Sequence, residues 1–228
     1  MIYMRYIILA FILLSKAGPI YALTENQAKH FFHLSNQHTT TFLNIKGYQQ
    51  TTDYTCGPAI VMSLLRYYGK LSESQMNQKM EMCIAKEMGT TKSEGTNEDQ
   101  LVCWLNNHGF RAKACYNGSL QMLRTKLTEG TPVLVDWIDW GGHWVAVAGY
   151  DSSPNTNNLD HATIFFADSA AHFDGMKTRD GITFINADRF ANMWLNSKLQ
   201  RNIYIIATPL DCNSSLTWKQ IEGINQCP

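Results

Sequence analysis

The sequence predicts an α+β fold built on an antiparallel sheet. Apolar residues recur at helical spacing from Gly57 to about Leu127, and from Pro132 onward the pattern shortens to that of strands. Helices and strands that fall in separate runs favour helices packed on an antiparallel sheet over an alternating parallel one. With 228 residues and 45% apolar side chains, the chain can build one substantial core.

The elements follow in order. Ile60, Val61, Leu64, Leu65 and Tyr68 share a helix face, and Gly69 ends that helix. Ser72 with Gln75 three residues on forms a capping-box pattern, so a second helix is expected from Ser72, with Met76, Met80 and Ile84 as its stripe. Thr96 and Asp99 predict the start of a third helix, which Leu101, Val102, Trp104 and Leu105 carry to Gly109. Leu120–Leu127 reads as a fourth. Strands are expected at 132–135, 144–148, 162–166, 182–185 and 202–206, with a helix near 188–195 between the last two.

Composition narrows the functional classes. The 19 basic and 19 acidic residues cancel, which argues against a nucleic-acid partner. Aromatics at 11% argue against disorder. Near the N-terminus, Arg5 precedes nine unbroken apolar residues, Tyr6 to Leu14, then Gly18, Pro19 and the small Ala22. This is the pattern of a secretory signal peptide, too short to span a bilayer. The expected organisation is a signal peptide over 1–22, a lead-in with a short helix over 23–46, a main domain over 47–210 and a tail over 211–228. The protein is then secreted or periplasmic, with no membrane partner after cleavage.

Six cysteines follow the apolar run: Cys56, Cys83, Cys103, Cys115, Cys212 and Cys227. An oxidising compartment predicts disulfides. Cys212 with Cys227 would staple the tail, and two of Cys83, Cys103 and Cys115 would form a second bridge. No C-x-x-C pair suggests zinc. His30 and His33 lack a third ligand, so no metal or other cofactor is implied.

Cys56 is the most informative residue. It stands directly before Gly57, Pro58 and an apolar helix, where the helix dipole and free backbone N–H groups favour a thiolate. A buried or disulfide-bonded cysteine would occupy such a place without reacting. His143 follows Gly141-Gly142 and opens a strand, a rigid place for a general base. Asp168, at the end of the next strand, suits the group that orients the imidazole. Asp151 is the competitor, but eight residues of strand put it about 27 Å from His143. The Cys56 N–H and a side-chain amide from Gln49 or Gln50 would hold an oxyanion.

Together these residues resemble a known family. Gln50-Thr-Thr-Asp-Tyr-Thr-Cys56-Gly-Pro-Ala, running into Leu64-Leu-Arg-Tyr-Tyr-Gly69, is similar to the nucleophile region of the bacteriocin-processing (double-glycine leader) cysteine peptidases and their stand-alone relatives. Glu94–Leu101 and Asn107–Phe110 resemble the family's second helical hairpin. Gly130–Val135 and Gly142–Asp151 resemble the strand pair that carries its histidine, and Phe165–Asp168 the next strand. The resemblance covers about Gln50 to Leu195. It implies a papain-like fold, a helical half packed on an antiparallel sheet. It also implies Cys56 as nucleophile, His143 as base, Asp168 as its orienter and Gln50 as the oxyanion-hole residue. The family's best-known members are fused to transporters and act at the cytosolic face. The double-glycine substrate is therefore not carried over to a chain with an export signal.

The expected function is a secreted cysteine hydrolase acting on a peptide or protein substrate. The alternatives are deamidase or transglutaminase-like acyl transfer on side-chain amides, and a non-catalytic peptide-binding module of the same fold. Trp140, Gly142 and Trp144, beside His143, are the expected substrate-binding residues, with Trp137 near them.

Overall fold

A computed structural model describes residues 39–152, 162–173, 175, 178–196, 198–199 and 201–210. The apolar N-terminal run, His30, His33 and the cysteine-bearing tail lie outside these residues. No helix among the described residues is long and apolar enough to cross a membrane.

The first helix, α1 (Cys56–Tyr67), is the central one. Its residues 56–65 are buried all round, because strands cover one side and two further helices the other. Those helices are α2 (Gln78–Met88) and α3 (Glu98–Asn107). Both begin later than their sequence signals predict. The Ser72–Gln75 capping box exists, but it closes a single 3-10 turn over Glu73–Gln75, and the helix proper starts one turn on at Asn77, whose side chain accepts from the Met80 N–H. Asn97 rather than Thr96 caps α3, with Gln100 rather than Asp99 as the reciprocal partner. Asn97→Ala should therefore cost about 1 kcal/mol of stability in urea unfolding.

The remaining elements are β1 (Thr39–Phe42), β2 (Phe110–Cys115), α4 (Leu120–Thr128), β3 (Val133–Trp137), β4 (His143–Ser152), β5 (Thr163–Asp168), β6 (Ile182–Asn186), α5 (Ala187–Met193) and β7 (Tyr204–Pro209). They form one antiparallel sheet in the order β2-β7-β3-β4-β5-β6. Strand β4 is long enough to serve two partners on one edge. Its Val147–His143 half pairs with β3, and Ser152–Gly149 pairs with β1. The end of the predicted lead-in is thus part of the sheet.

Strand alternation divides the core. Leu134, Trp144, Ala146, Ala148 and Ala167 face α1, α2 and α3. Val133, Val135, Val145, Val147 and Phe166 face α4 and α5, which supply Leu123, Leu127 and Phe190. The small alanines on the first face let α1 lie close to β4. That closeness brings the N-terminus of α1 to the start of β4.

Candidate active site

Three elements meet at this point: the start of α1, the start of β4 and the end of β5. Cys56 is the first residue of α1, and its side chain is 8% exposed. Gly57 behind it is required by packing, since a Cβ there would meet the Thr96 side chain at 2.7 Å. His143 begins β4 after Gly142, whose φ of 144° suits glycine. Asp168 closes β5. It pairs with Val145, two residues along from His143, so Asp168 and His143 lie at the same end of the sheet.

The resulting contacts form a line. His143 Nε2 lies 2.9 Å from Asp168 Oδ1, and that oxygen also accepts the Ala170 N–H at 2.8 Å. The Cys56 side chain hydrogen-bonds the same imidazole. With Nε2 facing the carboxylate, Nδ1 is left for the sulfur. Burial by itself would push His143 down. The hydrogen bonds to Asp168 and Cys56 and the charges of both groups outweigh it and raise His143 to about 10. A protonated imidazole beside Cys56 is the form that would pair with a thiolate. Nitrogen NMR of the His143 ring should therefore show a titration near pH 10. In Cys56→Ala, which removes one of the groups that raise His143, the midpoint should fall by more than about one unit.

Gln50 is buried on the loop that ends at Cys56. Its Oε1 accepts the Ser169 hydroxyl at 2.7 Å, and its backbone N–H donates to Ser169 O at 2.8 Å. One Nε2 hydrogen goes to Thr52 O at 2.7 Å, and the amide carries a second. Ser169 follows Asp168 directly, so one turn of chain holds both the carboxylate against His143 and the amide of Gln50. The neighbouring Gln49 braces the same turn, donating to Asp168 O and accepting from the His172 N–H. Both glutamines are thus held against the turn that carries Asp168, and Gln50 is the buried one.

The neighbouring tryptophans are placed otherwise than expected. Trp144 is buried among the first core cluster and donates its indole N–H to Thr96 O at 2.8 Å, so it offers no face to a substrate. Trp137 is likewise core, packed against Phe166 and Phe190. Gly142 is exposed beside His143, and the Trp140 side chain lies outside the described set. Asp151 binds the Thr40 hydroxyl at the far end of β4. Cys103 and Cys115 are free thiols, as is Cys56, so the bridge expected among Cys83, Cys103 and Cys115 is not made. No cluster of three metal-binding side chains occurs among the described residues.

Three residues at the site had no role in the sequence reading. Ser169 is one. Asp136 is another, a carboxyl on β3 that burial raises to about 6, against the opposing hydrogen bond from Asn196. The third is Glu81, fully buried on α2. A signal for Glu81 existed: it stands three residues before Ile84 and seven before Met88, on the buried face of its helix.

Comparison with solved structures places this geometry in a known fold. The peptidase domain of Streptococcus ComA, a bifunctional ABC transporter involved in quorum sensing, is 18% identical. The match covers 73% of this chain and 99% of that one, with a TM-score of 0.51. A double-glycine-motif protease from an AMS/PCAT transporter, in complex with its leader peptide, is also 18% identical. That match covers 77% and 99%, with a TM-score of 0.50. A putative C39-like peptidase from Bacillus anthracis is 16% identical over 75% and 99%, also with a TM-score of 0.50. No curated protein matches the sequence. These peptidase domains share the papain-like arrangement of helices on an antiparallel sheet, and the Peptidase C39-like family model matches residues 42–202. The chain belongs to that family.

Proposed function

We propose that the protein is an exported cysteine peptidase. The observation that carries this reading is the His143 ring set between Cys56 and Asp168. In the proposed reaction the Cys56 thiolate attacks a peptide carbonyl carbon, and the carbonyl electrons move to oxygen. The Cys56 backbone N–H and the free Nε2 hydrogen of Gln50 stabilise that oxyanion. The C–N bond then breaks as the His143 imidazolium gives its proton to the leaving amine, and a thioester remains on Cys56. Water attacks the thioester, His143 takes the water proton, and the thiolate leaves. Asp168 keeps the ring oriented and stabilises its charge throughout.

A peptide is supported as the ligand class by the leader peptide bound to the transporter protease of the same fold. Export is supported by the apolar run Tyr6–Leu14 after Arg5. The test is mass spectrometry of a peptide mixture incubated with the protein and with Cys56→Ala. New peptide termini formed only by the wild type are expected. A gain of about 1 Da on intact glutamine peptides would instead identify a deamidase acting through the same acyl chemistry. Identical mixtures from both proteins would leave the peptide-binding module as the function.

A further inference from the structure

We propose that Glu81 is a positioning residue for the acyl-transfer site, holding the loop between Gln50 and Cys56 so that the oxyanion donors point at the reacting carbonyl. The proposal rests on the cysteine hydrolase reading above. Glu81 sits on α2, away from the line of Cys56, His143 and Asp168, yet its carboxylate is fully buried. A buried carboxylate costs several kcal/mol unless it is satisfied by donors. Among the described residues, every donor to it comes from one loop. Tyr48 Oη donates at 3.1 Å, the Thr51 N–H at 2.9 Å, the Thr51 hydroxyl at 2.8 Å and the Thr55 hydroxyl at 2.5 Å. Thr51 directly follows Gln50, and Thr55 directly precedes Cys56. One carboxylate thus fixes the residue next to each oxyanion-hole group.

The Thr55 contact has a second consequence. Thr55 is the N-cap residue of α1, the place where a threonine hydroxyl ordinarily accepts a hydrogen bond from the first turn. Its hydroxyl is instead turned to Glu81 and Thr52, and α1 has no side-chain cap. The third helical residue is Pro58, which has no N–H to cap. Glu81 therefore draws off the side chain placed to cap the Gly57 N–H. A well-packed apolar side chain at position 81 would fill the same space at no electrostatic cost. It would orient neither Thr51 nor Thr55.

The test separates carbonyl chemistry from thiol reactivity. Acetylation of Cys56 by p-nitrophenyl acetate passes through an oxyanion and releases p-nitrophenolate, whereas alkylation by iodoacetamide forms an S–C bond at a saturated carbon and expels iodide. The ratio of the two rate constants isolates the oxyanion hole and is independent of how much protein is folded. Glu81→Gln should lower this ratio by about tenfold or more, short of the loss of a donor outright. Thr51→Ala, which removes a single hydroxyl and leaves the carboxylate its other donors, should give a smaller drop in the same direction. It decides the matter alone should Glu81→Gln not fold. A ratio within about twofold of wild type in the folded variants, even with both rates lowered together, would show a merely structural role and overturn the proposal. Wild-type Cys56 that is neither acetylated nor alkylated would overturn the hydrolase reading itself, and this proposal with it.

Discussion

His143→Ala should lower the rate of acyl transfer at Cys56 by about 10⁴-fold, the largest effect of any single substitution in the protein. Two losses combine. The ring that hydrogen-bonds Cys56 and opposes its charge disappears, so the thiolate loses its partner inside a buried site. The proton for the leaving amine disappears as well. The measurement is the burst of p-nitrophenolate from p-nitrophenyl acetate, followed by turnover of an amide substrate. The variant should lose the burst and fail on the amide even at high enzyme concentration, since an amide needs the proton more than an activated ester does. A burst within tenfold of wild type would mean that His143 is not the base. His143 is buried and bonded to Asp168, so its removal also leaves that carboxylate short of a donor. Rates are therefore to be taken per folded molecule.

Gln50→Ala should lower acyl transfer by about 10²–10³-fold while leaving Cys56 alkylation within a few-fold of wild type. The reason is chemical. Only the reaction that builds negative charge on a carbonyl oxygen calls on the amide donor. The variant also strands the Ser169 hydroxyl, which now donates to Gln50 Oε1, and should lose about 1–3 kcal/mol of stability. Gln50→Glu is the informative companion. It keeps the acceptor for Ser169 but replaces the donor with a carboxylate that repels an oxyanion, so its rate should fall at least as far as that of the alanine variant. Equal losses in acylation and alkylation for both variants would remove Gln50 from the oxyanion hole.

The sequence made Cys56, His143 and Asp168 legible as candidates because each stands at the end of a strongly patterned element. Cys56 heads a helix whose apolar period is unbroken, and His143 and Asp168 begin and end strands with continuous apolar runs. The residues that hold them in place were harder to see. Ser169 meets Gln50 across 119 positions and Glu81 meets Thr51 across 30, and no local pattern records such pairings. Strand β2 was missed although Phe110–Cys115 alternates in burial over its first four residues, because it follows the end of α3 so closely that the change of period is brief. Strand β1 was missed because its four residues are mostly threonine and pair only with the far end of β4. The tryptophans misled for another reason. Their position beside His143 suggested a groove, while strand alternation turned Trp137 and Trp144 to opposite sides of the sheet and buried both.

The most direct test of the central claim uses the protein's own thiols as controls. Cys103 is exposed, Cys115 is half-buried and Cys56 is buried, and all three are free. The native protein is treated with a limiting amount of iodoacetamide at pH 6, and the label is mapped by peptide mass. Access alone would mark Cys103 first and Cys56 last. A thiolate paired with the His143 imidazolium reverses that order, because ordinary thiols with a pKa of about 8.5 are almost wholly protonated at this pH. The account predicts that Cys56 is labelled first and that the preference disappears in His143→Ala. Labelling of Cys103 ahead of an inert Cys56 would contradict it.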